Sequence, residues 1–288
     1  MTALVERFEA ERPRLVRLAY GQLGSLAEAE DVVQEAWLRL SRADSGSIRD
    51  LGAWLTTTVS RLALDTLRSA RVRREAYVGP WLPEPIVSEP GPDERLAVDE
   101  DVSLALLVVL ESLSAAERTA FVLHDVFGYA FDEVADVLDS SPGAARQHAS
   151  RARRAVEARR PRFPVTPSRQ REVVQAFGQA TQDGDLDALL ELLHPDVVFT
   201  SDGGGVVSAA RTPLAGAERV ARTLIGIARK SGVRGYRSVD INGLPGLLSV
   251  SDDGVPTVVG FVVDGDRIVA IDVQRNPSKL RSLPVAHT

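Results

Sequence analysis

Residues 131–154 read FDEVADVLDSSPGAARQHASRARR, the pattern of two helices joined by a tight turn. The first eight residues place apolar side chains at helical spacing. The turn follows at 139–143, where Ser141 suits the N-cap and Pro142 the first position of the second helix. The second helix carries arginine and glutamine from its first turns onward, as a DNA-reading helix does. This stretch therefore predicts a helix-turn-helix.

The polar face of the second helix matches a nucleic acid in its chemistry. Arginine can pair with guanine and glutamine with adenine, whereas later arginines reach phosphates. Seven arginines stand against one glutamate between 144 and 162, and a second window, 61–74, holds five arginines against one aspartate. The chain as a whole has a net charge of −6. Two basic patches on an acidic chain predict two anion-binding surfaces, the alternative being two solvated helix faces.

Two proline-rich segments divide the chain. Five prolines between 79 and 92 exclude a helix or a central strand and predict an extended, solvent-facing linker. The apolar pair Trp81 and Leu82 in this linker either packs incidentally or forms a docking segment. Three prolines mark a second linker at 161–168. The segments before and between the linkers have helical patterns, with capping boxes that begin at Ser25 and Ser114.

After residue 168 the pattern changes to helices followed by strands. Helices are predicted near 169–182, 186–193 and 216–230. Runs of β-forming residues follow at 234–241, 246–250, 255–263 and 267–275, and an Asp-Gly hairpin signal separates the last two. Helices followed by an antiparallel sheet indicate an α+β domain.

A third motif lies on a predicted helix near the N-terminus, at residues 30–39. Trp37 and Leu38 are neighbours on this helix, so both cannot point directly into one core. We expect one of the two side chains to face a partner, the alternative being that Trp37 belongs to the core.

Composition excludes several classes of function. The 288 residues are 44% hydrophobic and 26% charged, which suits two or three small domains. Cysteine is absent and the four histidines are scattered, so we predict no metal site and no cofactor. The sequence has no apolar run near the roughly 18 residues of a membrane span, and no apolar segment of a signal peptide at its N-terminus. We expect a cytoplasmic protein without membrane contacts.

The three motifs, in this order, resemble the two-domain extracytoplasmic-function sigma factors of bacterial RNA polymerase. Residues 29–38 resemble the helix that binds the clamp helices of core polymerase, and 53–74 the segment that melts and reads the −10 element. Residues 131–154 resemble the helix-turn-helix that reads the −35 element. Asp139 stands where the family usually has glycine, and aspartate tolerates the left-handed backbone needed there. The resemblance implies an initiation factor that binds promoter DNA and core RNA polymerase, through its clamp helices and flap.

The resemblance also implies which residues make these contacts. Core-polymerase binding is assigned to Asp31, Gln34, Glu35, Trp37 and Leu38. Reading of the −10 element is assigned to Asp65, Arg68, Ser69, Arg71, Arg73 and Arg74. Reading of the −35 element is assigned to Arg146, Gln147, Ser150, Arg151, Arg153 and Arg154.

Residues 169–288 resemble a SnoaL-like domain, a cone-shaped α+β domain of the NTF2-like fold. One sigma-factor subfamily carries it with three marks, which read here WLPEP at 81–85, DGGGVV at 202–207 and NPSKL at 276–280. Val206 and Ser278 replace the family's lysine and aspartate. The resemblance implies regulation in cis, with no separate anti-sigma factor required. The contacts implied are Trp81, Leu82, Pro83, Asp202, Gly203, Gly204, Gly205, Asn276, Pro277, Lys279 and Leu280.

The predicted architecture is multidomain: two all-α sigma domains, the second with the helix-turn-helix, followed by the α+β NTF2/SnoaL-like domain. The predicted domains are 1–78, 94–160 and 169–288, with linkers at 79–93 and 161–168.

Two other functions stay open. A helix-turn-helix regulator with a small-molecule-sensing cone would explain the basic helix but neither 30–39 nor 61–74. A SnoaL-like cyclase or isomerase would need a carboxylate base and an acid that converge in a cavity. The candidates are His194, Asp196, Asp202, Tyr236, Asp240 and Asp272, and nothing in the sequence selects a pair. We therefore expect a protein that is not an enzyme, and the sequence identifies no ligand of the cone.

Overall fold

The computed structural model describes residues 2–43, 48–75, 77–90, 102–159, 161–233, 235–252, 254–281 and 283. The chain forms two compact units. The first unit consists of Met1–Glu75 and Leu106–Arg159, and the second of Ala76–Ala105 and Arg160–Thr288.

The N-terminal part of the first unit is a bundle of three helices, α1 (Thr2–Leu23), α2 (Leu26–Arg42) and α3 (Leu51–Glu75). Each helix buries one apolar stripe against the other two, as helical spacing predicts. Ser25 caps α2 as expected, because its hydroxyl accepts the amide of Glu28 at 3.4 Å.

The rest of the first unit is a second helical group. It comprises α4 (Leu104–Leu110) from Leu106 onward, α5 (Ala115–Phe121), a π-helical turn (Val122–Val126), α6 (Phe131–Leu138) and α7 (Pro142–Glu157). The first two residues of α4 belong to the second unit. The capping box of α5 is present, since Ser114 and Glu117 exchange backbone-to-side-chain hydrogen bonds. Three buried alanines of α7 face α5 and α6, and their small size allows a close approach: Ala145, Ala149 and Ala152.

The second unit is a mixed sheet with helices on one face. Its strands are β1 (Val87–Ser88), β2 (Leu193–Asp202), β3 (Leu214–Ala215), β4 (Arg237–Ile241), β5 (Leu244–Val250), β6 (Pro256–Asp264) and β7 (Arg267–Gln274). Its helices are α8 (Pro167–Asp183), α9 (Leu186–Leu192) and α10 (Ala217–Ser231). The strand order is β1-β4-β5-β6-β7-β2-β3, antiparallel except for the parallel pair β2 and β7. The expected α+β architecture of this domain is confirmed.

Both faces of this sheet are covered by apolar side chains. The larger core lies between the sheet and the three helices and includes Phe177 and Phe261, whose rings meet edge to face at 5.0 Å. On the opposite face, Leu104 of α4 joins Leu248 and Val258. Successive residues of one strand contribute to different cores, because their side chains point to opposite faces of the sheet.

The strand β2 was not predicted. The sequence pattern predicts a helix near 186–193 and no strand directly after it, whereas α9 ends at Leu192 and β2 begins at Leu193. Residues 194–196 therefore open a strand that pairs in parallel with β7, and this pairing is set by residues about 75 positions away.

The prediction of a solvent-facing first linker is wrong. Leu82 is 2% exposed and Ile86 8% exposed, and β1 within this segment pairs with β4. Prolines exclude a helix, but they leave an extended chain free to pack its other side chains and to join a sheet at its edge. The segment is therefore part of the second unit.

Candidate functional site

The helix-turn-helix turn has the backbone that the sequence predicts. Asp139 adopts the left-handed conformation, with φ 52° and ψ 53°. The hydroxyl of Ser141 accepts the amide of Ala144 at 3.2 Å, and Pro142 is the first residue of α7. The Ser141 hydroxyl thus gives one of the unpaired backbone amides at the start of α7 a hydrogen-bond partner, and the polar face of α7 points outward.

Most of the predicted −35 residues are exposed on α7, and several have a partner within the first unit. Arg146 lies over the ring of Phe131, 5.3 Å from its centroid. Arg153 forms an ion pair with Asp125. Arg151 lies 3.8 Å from Glu117. Arg154 donates to the backbone carbonyl of Ser150. The Gln147 and Ser150 side chains are exposed beside these arginines.

Glu117 contributes to the electrostatics below α7. Its partial burial would raise the pKa of the carboxyl group, but hydrogen bonds from Ser114 and the charge of Arg151 lower the pKa overall. Glu117 is therefore a stable negative charge that faces one of the predicted phosphate contacts.

The predicted −10 residues lie along α3. Asp65, Arg68 and Ser69 are exposed, and Asp65 pairs with Arg68 at 3.5 Å. Arg61, one turn before Asp65 on the same stripe, donates to the carbonyl of Asp136 in α6 at 2.6 Å. The side chains of the other predicted residues lie outside the described residues: Arg71, Arg73 and Arg74.

The face of α2 that is predicted to bind polymerase carries exposed side chains. Asp31, Gln34 and Leu38 are exposed, and Glu35 pairs with Arg39 at 3.0 Å. Trp37 is half-buried against the ring of Phe8, at 4.9 Å between centroids. Of the neighbouring apolar residues, Leu38 is thus the one that faces outward, with 38% of its surface exposed.

The first unit also contains a polar contact that the sequence analysis missed. Arg14 of α1 donates to the Tyr129 hydroxyl and to Thr56 of α3, the latter at 3.1 Å. The Tyr129 and Thr56 hydroxyls lie 3.2 Å apart. Tyr129 is in the loop before α6, so this contact joins the N-terminal bundle to the helix-turn-helix. The partners are far apart in the sequence, and no local pattern marks them.

The three subfamily marks come together in the second unit around Asp202. One of its carboxylate oxygens accepts the Tyr77 hydroxyl at 2.6 Å and the Gly204 amide at 2.9 Å. The other accepts the Leu82 amide at 2.9 Å and the Lys279 ammonium at 2.7 Å. Asp202 is fully buried, so this carboxylate depends on these partners.

Lys279 is held from several sides. Its ammonium donates to the Leu82 carbonyl at 2.6 Å and lies 3.8 Å from the centroid of the Trp81 ring. Gln274 donates to the carbonyls of Leu82 and Pro83. The linker backbone is thereby bound by side chains of the C-terminal domain. We call the buried group formed by Tyr77, Trp81, Leu82, Asp202, Gln274, Asn276 and Lys279 the Asp202 cluster.

Asn276 links the third mark to the first. Its amide nitrogen donates to the Tyr77 hydroxyl at 2.8 Å, and its side-chain oxygen caps the short 3₁₀ turn Pro277–Lys279. Leu280 follows with 4% of its surface exposed. Burial raises the pKa of Tyr77, and its hydrogen bond to Asp202 raises the pKa further. Tyr77 therefore remains a neutral donor.

The glycines of the DGGGVV loop are required by close contacts. A Cβ on Gly203 would overlap the carbonyl oxygen of Val207. Gly204 has φ +67°, and a Cβ there would lie 2.5 Å from Asn276. Gly205 has φ +71° and faces Val78, the residue before the first linker. A side chain at Gly204 would therefore displace Asn276 of the third mark.

Asn242 is a second contact to the linker that the sequence analysis missed. Its side-chain oxygen accepts the Ile86 amide at 3.1 Å, and its amide nitrogen donates to the Val102 carbonyl at 3.1 Å. Asn242 and Gly243 form the β4–β5 turn, with φ 48° and 79°. An Asn-Gly pair marks a hairpin in a sequence, although it does not reveal this side chain's second role.

The candidate catalytic residues lie in different surroundings. Asp202 belongs to the Asp202 cluster, and Asp240 pairs with Arg171 at 3.0 Å. Tyr236 packs against the helix-covered core, where burial raises its pKa. Asp272 lies on the other face of the sheet, beside Leu104. His194 accepts the Asp196 amide at the start of β2.

Two absences apply to the described part of the chain alone. None of its helices is long and apolar enough to cross a membrane. The described residues also contain no group of three or more side chains suited to a metal ion.

Comparison with known proteins identifies the class. The family model for Sigma-70 region 2 matches residues 7–73, and that for Sigma-70, region 4 matches residues 103–156. The chain belongs to the extracytoplasmic-function (ECF) RNA polymerase sigma factors, as its similarity to curated members establishes.

Among these relatives is the ECF RNA polymerase sigma factor SigJ of Mycobacterium tuberculosis (strain ATCC 25618 / H37Rv). It is 43% identical, over 98% of this chain and 94% of SigJ. The probable ECF sigma factor SigI of M. tuberculosis (strain CDC 1551 / Oshkosh) is 37% identical, over 96% of this chain and 94% of SigI. The crystal structure of M. tuberculosis SigJ matches with a TM-score of 0.80 and 40% identity, over 98% of this chain and 99% of that one.

Proposed function

We propose that the protein binds core RNA polymerase and directs it to promoters that α3 and α7 recognise. The observation that carries this proposal is the exposed arginine-rich face of α7 on a well-formed helix-turn-helix, in a chain of the ECF family. A sigma factor acts by recruitment, so this role requires no catalytic group from the chain itself.

In this proposal α7 reads the −35 element. Arg146 and Gln147 lie in the second turn of the helix, near the end that enters the major groove. Both are exposed and have the donors that guanine and adenine accept. Arg151 and Arg154 lie further along and suit phosphates, whereas Arg153 is already neutralised in part by Asp125.

The two other predicted surfaces complete the proposal. The exposed stripe of α3, with Asp65, Arg68 and Ser69, suits the −10 element. The face of α2 with Asp31, Gln34 and Leu38 combines polar groups with one exposed apolar side chain, a composition that suits a protein partner.

A purified transcription system tests this function. We expect the full chain to bind bacterial core RNA polymerase and to support run-off transcription from promoters selected by sequencing. Leu38→Asp should weaken core binding, whereas Val5→Asp, at an exposed apolar position of α1 with similar exposure, should not. Failure to bind core would contradict the proposal. Sequence-specific binding without polymerase, with a salt slope near −0.9 per neutralised phosphate, would favour the ligand-sensing regulator.

We further propose that the C-terminal domain regulates the sigma regions in cis, without a separate anti-sigma factor. The support is the Asp202 cluster, which binds the chain from Tyr77 to Pro83 to that domain. This segment leads from the α3 region to the α4 region. Its release or retention therefore sets how much chain is free between the two promoter-binding regions.

Asp202→Asn tests regulation in cis, and Asp240→Asn is the matched control. Both substitutions remove the charge of a carboxylate that is ion-paired in the C-terminal domain. The Asp240 carboxylate pairs with Arg171, and Asp240 meets the linker through the strand pairing with Ser88, which the substitution leaves in place. In a system containing only core polymerase and DNA, Asp202→Asn should change run-off output without changing sequence preference. Equal output from both variants and the unmodified chain would contradict regulation through this cluster.

A further inference from the structure

A half-buried aromatic side chain lies beneath one of the exposed α7 arginines. The Arg146 guanidinium carbon is 5.3 Å from the centroid of the Phe131 ring, a cation–π distance. Phe131 is the first residue of α6, and Arg146 is in the second turn of α7. In the sequence, Phe131 belongs to the apolar pattern of α6, which indicates no role towards α7.

The Phe131 ring is itself fixed by a second aromatic contact. His124, in the π-helical turn, stacks on Phe131 with 3.8 Å between centroids and 27° between planes. The Nδ1 atom of His124 lies 2.8 Å from the carbonyl oxygen of Tyr129, which sets the imidazole orientation. The half-buried His124 and Phe131 rings and the exposed Arg146 thus form a continuous contact.

This contact bears on how an arginine recognises a base. An exposed arginine samples many rotamers, and ordering them on binding costs free energy. A guanidinium that stacks on a fixed ring is restricted before DNA arrives, and the planar donors keep their edges available for hydrogen bonds. Among the exposed arginines assigned to the −35 element, Arg151 and Arg154 have polar or acidic neighbours instead.

We propose that Phe131, braced by His124, is a positioning residue that orients Arg146 for base recognition in the −35 element. Phe131 acts through Arg146 and contacts no base. The inference rests on the proposed function, specifically on Arg146 reading a base pair. We expect its effect at the base pair that Arg146 reads, since Arg146 stacks on the ring.

The test uses the full chain with core polymerase and a set of promoters in which each −35 position is changed in turn. Arg146→Ala first identifies the base pair whose preference is lost. Phe131→Leu should then reduce preference at that same base pair by about two- to fivefold, the size of an exposed cation–π contact. Phe131→Tyr keeps the aromatic ring and should retain the preference. In the Arg146→Ala background, Phe131→Leu should add no further loss at that position.

Phe127→Leu is the matched control for a general loss of packing, because it removes a half-buried phenyl ring from the same loop region. It should lower activity on all promoters equally, if at all, and thermal unfolding shows whether either leucine variant is unfolded. If Phe131→Leu also acts equally on all promoters, or Phe131→Tyr fails to rescue, the positioning role is overturned. If Arg146→Ala changes no preference, the base-reading role of Arg146 fails first and the positioning role with it.

Discussion

The α7 surface and the Asp202 cluster both depend on charged side chains, but they differ in how those charges are satisfied. On α7, Arg146 has an aromatic neighbour and Arg153 one carboxylate, and both remain near solvent. In the cluster, Asp202 is fully buried and accepts hydrogen bonds from two backbone amides and three side chains. The first arrangement leaves its donors available for an outside partner. The second is complete in itself, so it suits a structural joint rather than a binding site.

The largest expected effect follows from removing the buried charge. The Lys279 side chain is only 10% exposed in the unmodified chain. Asp202→Asn removes the carboxylate charge that pairs with its ammonium. Breaking a buried ion pair on one side costs about 3–5 kcal/mol. Hydrogen exchange should show faster exchange of the Leu82 amide, which donates to Asp202 in the unmodified chain. An unchanged Leu82 amide would mean that the cluster does not hold the linker.

The next effect separates backbone strain from close packing. Gly204→Ala and Gly254→Ala both place alanine at positive φ, which costs about 1–2 kcal/mol. Among the described residues other than its chain neighbours, none has an atom within 4 Å of the new Cβ at Gly254, whereas at Gly204 the Cβ lies 2.5 Å from Asn276. Gly204→Ala should therefore lower the urea midpoint of the second unit further than Gly254→Ala. Equal midpoints would show that Asn276 can move away at little cost.

A smaller effect is expected on α7, where each contact is one of several. Arg146→Ala should cost about 1–3 kcal/mol of discrimination at one −35 base pair. Arg154→Ala should weaken binding similarly on all promoters, because a phosphate contact carries no base information. Promoter-binding titrations on matched and single-base-changed sites measure both. If Arg146→Ala weakens binding equally on all sites, Arg146 contacts a phosphate rather than a base.

The smallest effect concerns the carboxylate that holds Arg153. Asp125→Asn removes the ion pair with Arg153 and leaves this arginine free to approach a phosphate. We expect tighter promoter binding at low salt and a log–log salt slope that is steeper by about one. Thr57→Ala, at a half-buried position of α3, serves as the control because it leaves the net charge of the protein unchanged. An unaltered slope would mean that Arg153 contacts no phosphate in the complex.

The sequence predicted those features whose causes are local. The left-handed Asp139, the cap at Ser141 and the four later strands β4–β7 follow from residue type and short-range pattern, and the structure has them. The strand β2 was missed because its stability comes from a parallel partner, β7, rather than from its own alternation.

The same distinction applies to the sites. The subfamily resemblance grouped Trp81, Asp202 and Lys279 without geometry, and the structure brings these residues together. Tyr77, Asn242 and Gln274 share in holding the linker, but their partners lie more than 120 residues away in the sequence. The contact of Arg146 with Phe131 also depends on the angle between α6 and α7, which no one-dimensional pattern states.

The two-residue strand β1 affects which part of the chain could be transferred to another protein as an intact domain. It covers the outer edge of β4, and at the far end of the sheet β3, equally short, covers β2. Exposed strand edges invite other chains to pair with them, and short covering strands remove that hazard. A C-terminal domain transferred to another protein from residue 169 onward would lose one of its two covering strands and three of the seven residues of the Asp202 cluster. The piece that can be transplanted intact therefore begins near Tyr77 and includes the linker, so the domain and the segment that precedes α4 are inherited together.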